Sequence, residues 1–258
     1  KPDFCKQKDI DLMLSYGTTR VELGVQALSD ESYRLTNRGH TVQDVVDSFK
    51  LAKDSGLKIV AHMMPGLPGL NYVEDLKGFQ KLFQDPQFKP DMIKVYPCLV
   101  IEGTALYGMY MKDLYKPYDE STTINLLAEV KKIVPKWVRI MRIQREIPAH
   151  AIVAGVKSSN VRQMILDEVK RRGFKCQCIR CREIGLGDAN SINSDNLKIF
   201  REDYESSDGK EIFLSYEDSS RNHIIGFLRL RLPSDDSNRS EIVKGKTSIV
   251  RELRVYGS

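Results

Sequence analysis

Residues 57–69 read LKIVAHMMPGLPG, and no other stretch constrains the fold as tightly. Ile59, Val60 and Ala61 are small or β-branched and suit a buried strand. His62 and two methionines then run straight into a Pro-Gly-Leu-Pro-Gly turn. A strand ends this way when it must hold a polar group at a tight, glycine-opened mouth. In β/α barrels the chemistry sits at such strand ends.

The surroundings repeat the unit. Strand patterns at 19–26, 58–64, 92–97 and 137–141 alternate with helix patterns at 42–55, 73–83 and 123–134. Strands separated by helices of this length predict right-handed βαβ units and a parallel sheet. They amount to roughly half of an eight-stranded barrel, which places missing strands before Lys1. Residues 159–172 predict another helix, capped by Ser158 or Ser159 and ended by Gly173. From Leu197 onward the pattern becomes antiparallel strands at 212–216, 224–231 and 247–256, with Asp208-Gly209 as a hairpin turn. Residues 234–240 predict a loop. The chain thus divides into 1–150, a partial barrel; 151–195, a basic helix and linker; and 196–258, a second folded part, with the boundary near 186–195.

Residues 131–182 hold fourteen Lys and Arg against three Asp and Glu, in a chain whose net charge is only +5. Charge this concentrated points to a polyanionic partner, with nucleic acid first. Basic residues scattered over a solvated face are the plainer reading. No apolar run approaches the ~20 residues that span a bilayer, so no membrane partner is expected. The first residues are no secretory signal, and Lys-Pro-Asp-Phe-Cys is not a natural start. Five cysteines, three of them clustered, predict a cytoplasmic protein with a metal site rather than a disulfide framework.

Those three are Cys176, Cys178 and Cys181. An x-x pair grips a metal from a tight turn, and a third thiolate leaves one tetrahedral position open. Zinc is the default, an iron–sulfur cluster being cramped at this spacing; three idle reduced thiols would also satisfy the pattern. In the 20–26 strand, Arg20, Glu22, Gly24 and Gln26 share one face and Val21, Leu23 and Val25 the other. Charged and amide groups facing into a barrel need a ligand or a paired partner. Arg20 and Glu22 pairing with each other is the structural alternative. Arg38 and His40, before the next helix, are placed to reach over the barrel mouth.

Segments 2–5, 19–26, 36–41, 61–68, 90–97, 99–100, 103–104, 142–148, 182–185, 213–218 and 249–257 together resemble, in order, the catalytic-subunit family of Elongator. Its members are radical S-adenosylmethionine (SAM) enzymes fused to a GNAT-type acetyltransferase domain. The resemblance implies an α/β chain: a partial radical SAM β/α barrel, a zinc-binding linker and a partial GNAT-type mixed α/β domain. The family holds a [4Fe–4S] cluster on a cysteine triplet. Only Cys5 and Cys98 occur in the first 150 residues here, so the chain resembles a member truncated before that triplet, and at its other end before the coenzyme A pyrophosphate loop.

The resemblance also implies sites. Glu22, Gln26, Arg38, His62 and Lys94 would face SAM. Cys176, Cys178 and Cys181 match the family's zinc loop, with the fourth ligand from elsewhere. Glu252, Leu253, Arg254 and Val255 match the strand along which acetyl-CoA lies. Arg139, Arg142, Arg145, Lys157, Arg162, Lys170, Arg171 and Arg172 would meet transfer RNA phosphates. The implied activity is carboxymethyl-type modification of the wobble uridine, U34, at carbon 5. SAM is cleaved reductively to a 5′-deoxyadenosyl radical, which takes hydrogen from the acetyl group of acetyl-CoA, and the carbon radical adds to uridine. The active cleft is then expected between the two domains, and other Elongator subunits are expected partners. A protein lysine acetyltransferase would use the C-terminal part alone. A transfer RNA scaffold without catalysis would suit a chain that lacks the cluster cysteines.

Overall fold

The computed structural model describes residues 1–186 and 196–256. The expected boundary near 186–195 therefore falls almost wholly outside the described residues. In order, the elements are α1 Gln7–Ser15, β1 Arg20–Gln26, α2 Asp30–Leu35, α3 Val42–Asp54, β2 Lys58–Met63, α4 Tyr72–Gln84, β3 Met92–Val95, β4 Val100–Ile101, α5 Ala105–Tyr110, α6 Glu120–Ile133, β5 Arg139–Ile143, β6 Ile152–Ala154, α7 Val161–Arg171, α8 Ile179–Arg182, β7 Leu197–Ser206, β8 Gly209–Asp218, β9 Ile224–Leu232 and β10 Ile249–Val255. Among the described residues no helix is long and apolar enough to cross a membrane.

Four of these strands form the expected parallel sheet, in the order β1-β2-β3-β5. Each intervening helix starts where a side chain can accept its free N–H groups. Thr41 caps α3, Asn71 caps α4 and Asp119 caps α6. Their apolar faces close over one side of the sheet. Val45 and Phe49 of α3, Phe79 and Leu82 of α4, and Leu127 and Val130 of α6 join Val21, Leu23, Val25, Ile59, Ala61 and Ile93 in one core. Helix α7 adds Val161, Ile165 and Val169 to it, and the linker adds Cys176 and Cys178. The linker is thus packed into the barrel half.

The four antiparallel strands form a second sheet, ordered β10-β9-β8-β7. Its hairpin turns at Ser207 and Asp208, both in the left-handed region, before Gly209. A third sheet, β4-β6, pairs two short strands beside the barrel mouth. Helices α1, α2 and α5 and strands β4, β6 and β7 carry too little periodic signal to be read individually from the sequence.

The two large sheets meet at the N-terminal ends of the barrel strands, where the join is ionic and closed. Asp91, immediately before β3, accepts from Arg251 at 2.6 and 2.8 Å and from the Ile59 amide at 2.8 Å. Arg251 also donates to Glu211 at 2.8 Å and to the Leu57 carbonyl at 3.0 Å. Arg231 joins Asp54 at 2.6 Å to Glu211 at 3.0 Å, and Arg229 lies 2.9 Å from Glu252. Trp137 stacks on Tyr204 with ring centroids 4.2 Å apart. The side chains of Arg229, Arg231 and Arg251 are at most 1% exposed. Among the described residues the two halves are in direct contact at this join, with a cavity of about 260 Å³ between Lys50 and Asp54 of one half and Asp236 and Arg239 of the other at its edge. Each of these three arginines meets a buried carboxylate, while Lys53, also buried, is held by the Phe88 and Lys89 carbonyls and the Ser206 hydroxyl.

Candidate functional site

The opposite, C-terminal ends of the strands form the open mouth. A cavity of about 290 Å³ lies there, walled by Gln26, Met64, Tyr96 and Gln144 from the ends of β1, β2, β3 and β5, with Arg38. Leu99, Ile101, Ile147 and Val156 make its apolar side. Gln26 and Gln144 adopt φ of +69° and +76°. Such backbone is uncommon outside glycine, and strain of this kind clusters where side chains serve ligands. At Gln26 it coincides with a break in the β1–β2 register. Gln144 donates from Nε2 to the Ser158 carbonyl at 2.6 Å, which fixes its amide.

Arg38 supplies the observation most pertinent to a ligand. One of its terminal nitrogens donates to the Gly24 carbonyl at 3.1 Å, while its Nε is buried without a hydrogen-bond partner. A buried donor left unmade is costly unless something fills the site. The Arg38 guanidinium and the Gln26 amide that line the cavity suit a carboxylate or hydroxyl oxygen, so the residues here fit the amino-acid or ribose end of SAM. Gln26 and Arg38, both expected to face SAM, do line the cavity.

Glu22, His62 and Lys94, also expected there, instead converge on one another one step further down the strands. Glu22 Oε2 accepts from Lys94 Nζ at 2.5 Å and lies 2.8 Å from His62 Nε2, with Arg20 at 3.6 Å. Burial works to raise the Glu22 carboxyl, but hydrogen bonds from Lys94 and His62 outweigh it and hold the group below its usual range. Burial likewise holds the His62 pKa below its ordinary value, against the pull of Glu22. His62 meets Tyr96 edge-on at 5.5 Å, and the Arg145 guanidinium stacks 4.9 Å above the same ring. His40 does not reach the mouth. It is buried against Tyr33, with ring centroids 4.3 Å apart.

The Pro-Gly-Leu-Pro-Gly turn is clamped from behind. Asp75 accepts from the Gly66 amide at 2.7 Å and from the Tyr118 hydroxyl at 2.7 Å, and Tyr115 donates to the Gly66 carbonyl at 2.6 Å. Burial pushes the Asp75 carboxyl up to about 6. Neither this clamp nor Tyr96 and Gln144 was legible as site chemistry from the sequence. Tyr115 and Tyr118 are far from the turn in the chain, and the left-handed glutamines have no local signature.

Beside the mouth, a basic groove of about 470 Å³ is lined by Arg142, Arg145, Lys157 and Ser159 and shares Gln144, Arg145 and Ile147 with the cavity. The eight basic residues expected to meet phosphates divide sharply. Arg139 is tied to Glu183 at 2.7 Å and to the Tyr256 hydroxyl at 2.8 Å. Arg162 donates to the Ile140 carbonyl at 3.1 Å, and Arg172 holds Glu129 and Glu168, each at 2.5 Å. These three are engaged by acceptors within the fold. Arg142 pairs with Glu146 at the surface and Arg171 with Glu168, the latter side chain being 73% exposed. Arg145, Lys157 and Lys170 line or flank open surface.

The sulfurs of Cys176, Cys178 and Cys181 all lie within 4.8 Å of one another. Zn–S bonds of about 2.3 Å in a tetrahedron set ligands about 3.8 Å apart, so the trio fits one ion. Hydrogen bonds from Cys176 and Cys181 hold the Cys178 thiol well below its usual range. The cluster sits at the N-terminal end of β5, where Ile179 N donates to the Val138 carbonyl at 3.0 Å. Cys5 and Cys98 are buried in separate core clusters. The described residues therefore offer a four-iron cluster no thiolate set at the mouth.

Strand β10, expected to carry acetyl-CoA, is an edge strand with a register break between Val250 and Glu252. Leu253 and Val255 are 70% and 72% exposed, and Arg254 is exposed beside them. Glu252 turns inward to Arg229.

Residues 2–82 match the model of the radical SAM superfamily, and residues 90–171 match that of the radical SAM C-terminal domain. A Methanocaldococcus jannaschii protein named tRNA uridine(34) acetyltransferase is 48% identical over the whole chain, which covers 48% of that protein. Human Elongator complex protein 3 is 44% identical over the whole chain, which covers 47% of it. The chain spans about half the length of the curated relatives it matches. The solved structure of archaeal Methanocaldococcus infernus Elp3, with its N-terminus deleted (1–46), superposes with a TM-score of 0.95 at 48% identity, over 99% of this chain and 60% of that one. The parallel sheet, its polar mouth and these whole-chain matches agree: the chain belongs to the radical SAM superfamily, in the family of Elongator complex protein 3 and the archaeal tRNA uridine(34) acetyltransferases.

Proposed function

We propose that this chain carries the mouth and the docking sheet of an enzyme that modifies U34 of transfer RNA at carbon 5, using SAM and acetyl-CoA. The reading is supported most by one observation: Arg38, with no carboxylate partner among the described residues, lines a cavity at the strand ends, and that cavity adjoins the basic groove. SAM, when bound, supplies the adenosyl group from which a carbon radical is drawn. Arg38 and Gln26 would hold its polar end, and the apolar wall of Leu99, Ile101 and Val156 would exclude water from the reacting groups. Arg142, Arg145, Lys157, Lys170 and Arg171 would hold transfer RNA phosphates, with Arg139, Arg162 and Arg172 supporting the fold instead. The exposed edge of β10, from Glu252 to Val255, would take acetyl-CoA by backbone pairing. Because β10 lies toward the N-terminal ends of the barrel strands, the acyl donor must approach the mouth around the sheet rather than through the ionic join.

Cys176, Cys178 and Cys181 would hold zinc as a structural ion of the linker, and other Elongator subunits are candidate partners. Elemental analysis of purified protein should give close to one zinc per chain, falling to near none in the Cys176→Ser/Cys178→Ser variant; unchanged zinc in that variant refutes the assignment. The activity is tested by nucleoside analysis of transfer RNA incubated with the full-length protein, SAM, acetyl-CoA and a reductant. A carboxymethyl-type adduct on uridine supports the reading. Modified lysines on protein, with unmodified RNA, would favour a lysine acetyltransferase.

A further inference from the structure

We propose that Lys131 is the counter-charge of the Cys176–Cys178–Cys181 centre, built in to make a metal-loaded site electrically neutral. The inference rests on the reading of that cluster as a zinc site. Lys131 lies near the C-terminal end of α6 and is 1% exposed. Its ammonium is 3.7 Å from Cys176 Sγ and 3.5 Å from Cys181 Sγ, and both of its described side-chain hydrogen bonds go to sulfur. A buried ammonium needs an anion beside it, and the groups placed to supply that charge are the thiolates.

The charges close. Three thiolates on a divalent ion leave one negative charge, and Lys131, which donates to two of the sulfurs, offsets it, while Arg162, also near the three thiols, donates to the Ile140 carbonyl instead. A neutral assembly suffers the least desolvation in the core that Cys176 and Cys178 share with α6 and α7. Two consequences follow. The open coordination position, on the side where Cys176 and Cys181 line a cavity of about 510 Å³ with His223, takes a neutral donor such as water or imidazole, since a fourth thiolate or a phosphate would restore the excess charge. Donation from a cation also draws electron density off the sulfurs, so they resist electrophiles, and its charge disfavours protonation of the thiolates, so the centre retains its metal.

The experiment loads purified protein with Co²⁺ in place of zinc, records the sulfur-to-cobalt charge-transfer band, and measures zinc affinity by chelator competition. Lys131→Met should weaken zinc binding about 10–100-fold, shift the band to lower energy and speed alkylation of the cysteines. Lys131→Arg, which keeps charge and donors, should restore much of each. A folded Lys131→Met variant with zinc affinity within about twofold and the same band position overturns the proposal. If that variant does not fold, Lys131→Arg must hold metal where Lys131→Gln loses it, and equal retention by both overturns the proposal as well. Wild-type protein that takes up no zinc refutes the zinc reading and this inference with it, whereas a zinc-loaded wild type beside an unperturbed Lys131→Met variant refutes this inference alone.

Discussion

At the N-terminal ends of the barrel strands, Asp54, Asp91 and Glu211 meet Arg229, Arg231 and Arg251 in one ionic network. At the C-terminal ends of the same strands, a few residues away, Arg38 keeps a buried nitrogen unpartnered and two glutamines hold left-handed backbone around a cavity. Both ends are rich in charge. They differ in pairing: Arg229, Arg231 and Arg251 each have a carboxylate within 4 Å, and Arg38 has none among the described residues. Paired charges lock two sheets together. Unmatched donors are tolerated where a ligand can complete them. Counting charged residues cannot separate these roles, but counting their partners can.

The sharpest way to break this contrast is to unmatch the join. Arg251→Met leaves Asp91 and Glu211 buried without their shared cation, and should lower stability by about 3–5 kcal/mol in urea unfolding. A loss below about 1 kcal/mol, the range of an exposed pair, would mean that the join is not the closed network described.

Acid should affect the two ends with opposite sign. The Arg251 and Arg229 guanidiniums outweigh burial and hold the Asp91 carboxyl below its usual range. Its contribution is therefore complete above the unfolded value of about 3.9 and lost as pH falls below it. Asp75, behind the mouth, is raised to about 6. Between about pH 4 and pH 6 the folded protein holds the extra proton, so stability falls as pH rises through that window, by on the order of 2–3 kcal/mol. Asp75→Asn should abolish that slope in pH-dependent unfolding while leaving the acid loss below pH 4. Persistence of the slope would assign it to another group.

Much of this was readable in the sequence, for definite reasons. The strands of the parallel sheet are buried on both sides or alternate cleanly, and each helix between them carries a cap such as Thr41 or Asn71, so element order and the α/β class were legible. The thiol cluster was legible because its residues are adjacent in the chain. The ionic join was not. Asp54 and Arg231, or Asp91 and Arg251, come together only through the docking of two sheets. For the same reason the internal partners of the basic stretch were not legible. Arg139, Arg162 and Arg172 look like their neighbours in sequence, yet find acceptors that lie far from them in the chain.

A smaller effect sharpens the mouth itself. Lys157→Ala with Arg145→Ala removes from the groove two cations that form no ion pair among the described residues, while Arg139 and Arg172 remain in their internal pairs. Transfer RNA affinity should fall about equally for all species, and the slope of log affinity against log salt should flatten by roughly 1.4–1.8. An unchanged slope would return the groove to solvent.

The central claim is that Arg38, at the C-terminal ends of the strands, serves SAM, whereas Arg251, in the ionic join at their N-terminal ends, only holds the two sheets together. It is tested most directly by calorimetric titration of S-adenosylhomocysteine, which carries the adenosyl and amino-acid ends of SAM, into the Arg38→Met and Arg251→Met variants. Each variant is also followed through thermal unfolding. The account predicts that Arg38→Met loses at least tenfold in affinity, about 1.4 kcal/mol, with its melting temperature nearly unchanged, and that Arg251→Met melts far lower but binds normally while folded. Normal binding by Arg38→Met, or weakened binding by folded Arg251→Met, would contradict it.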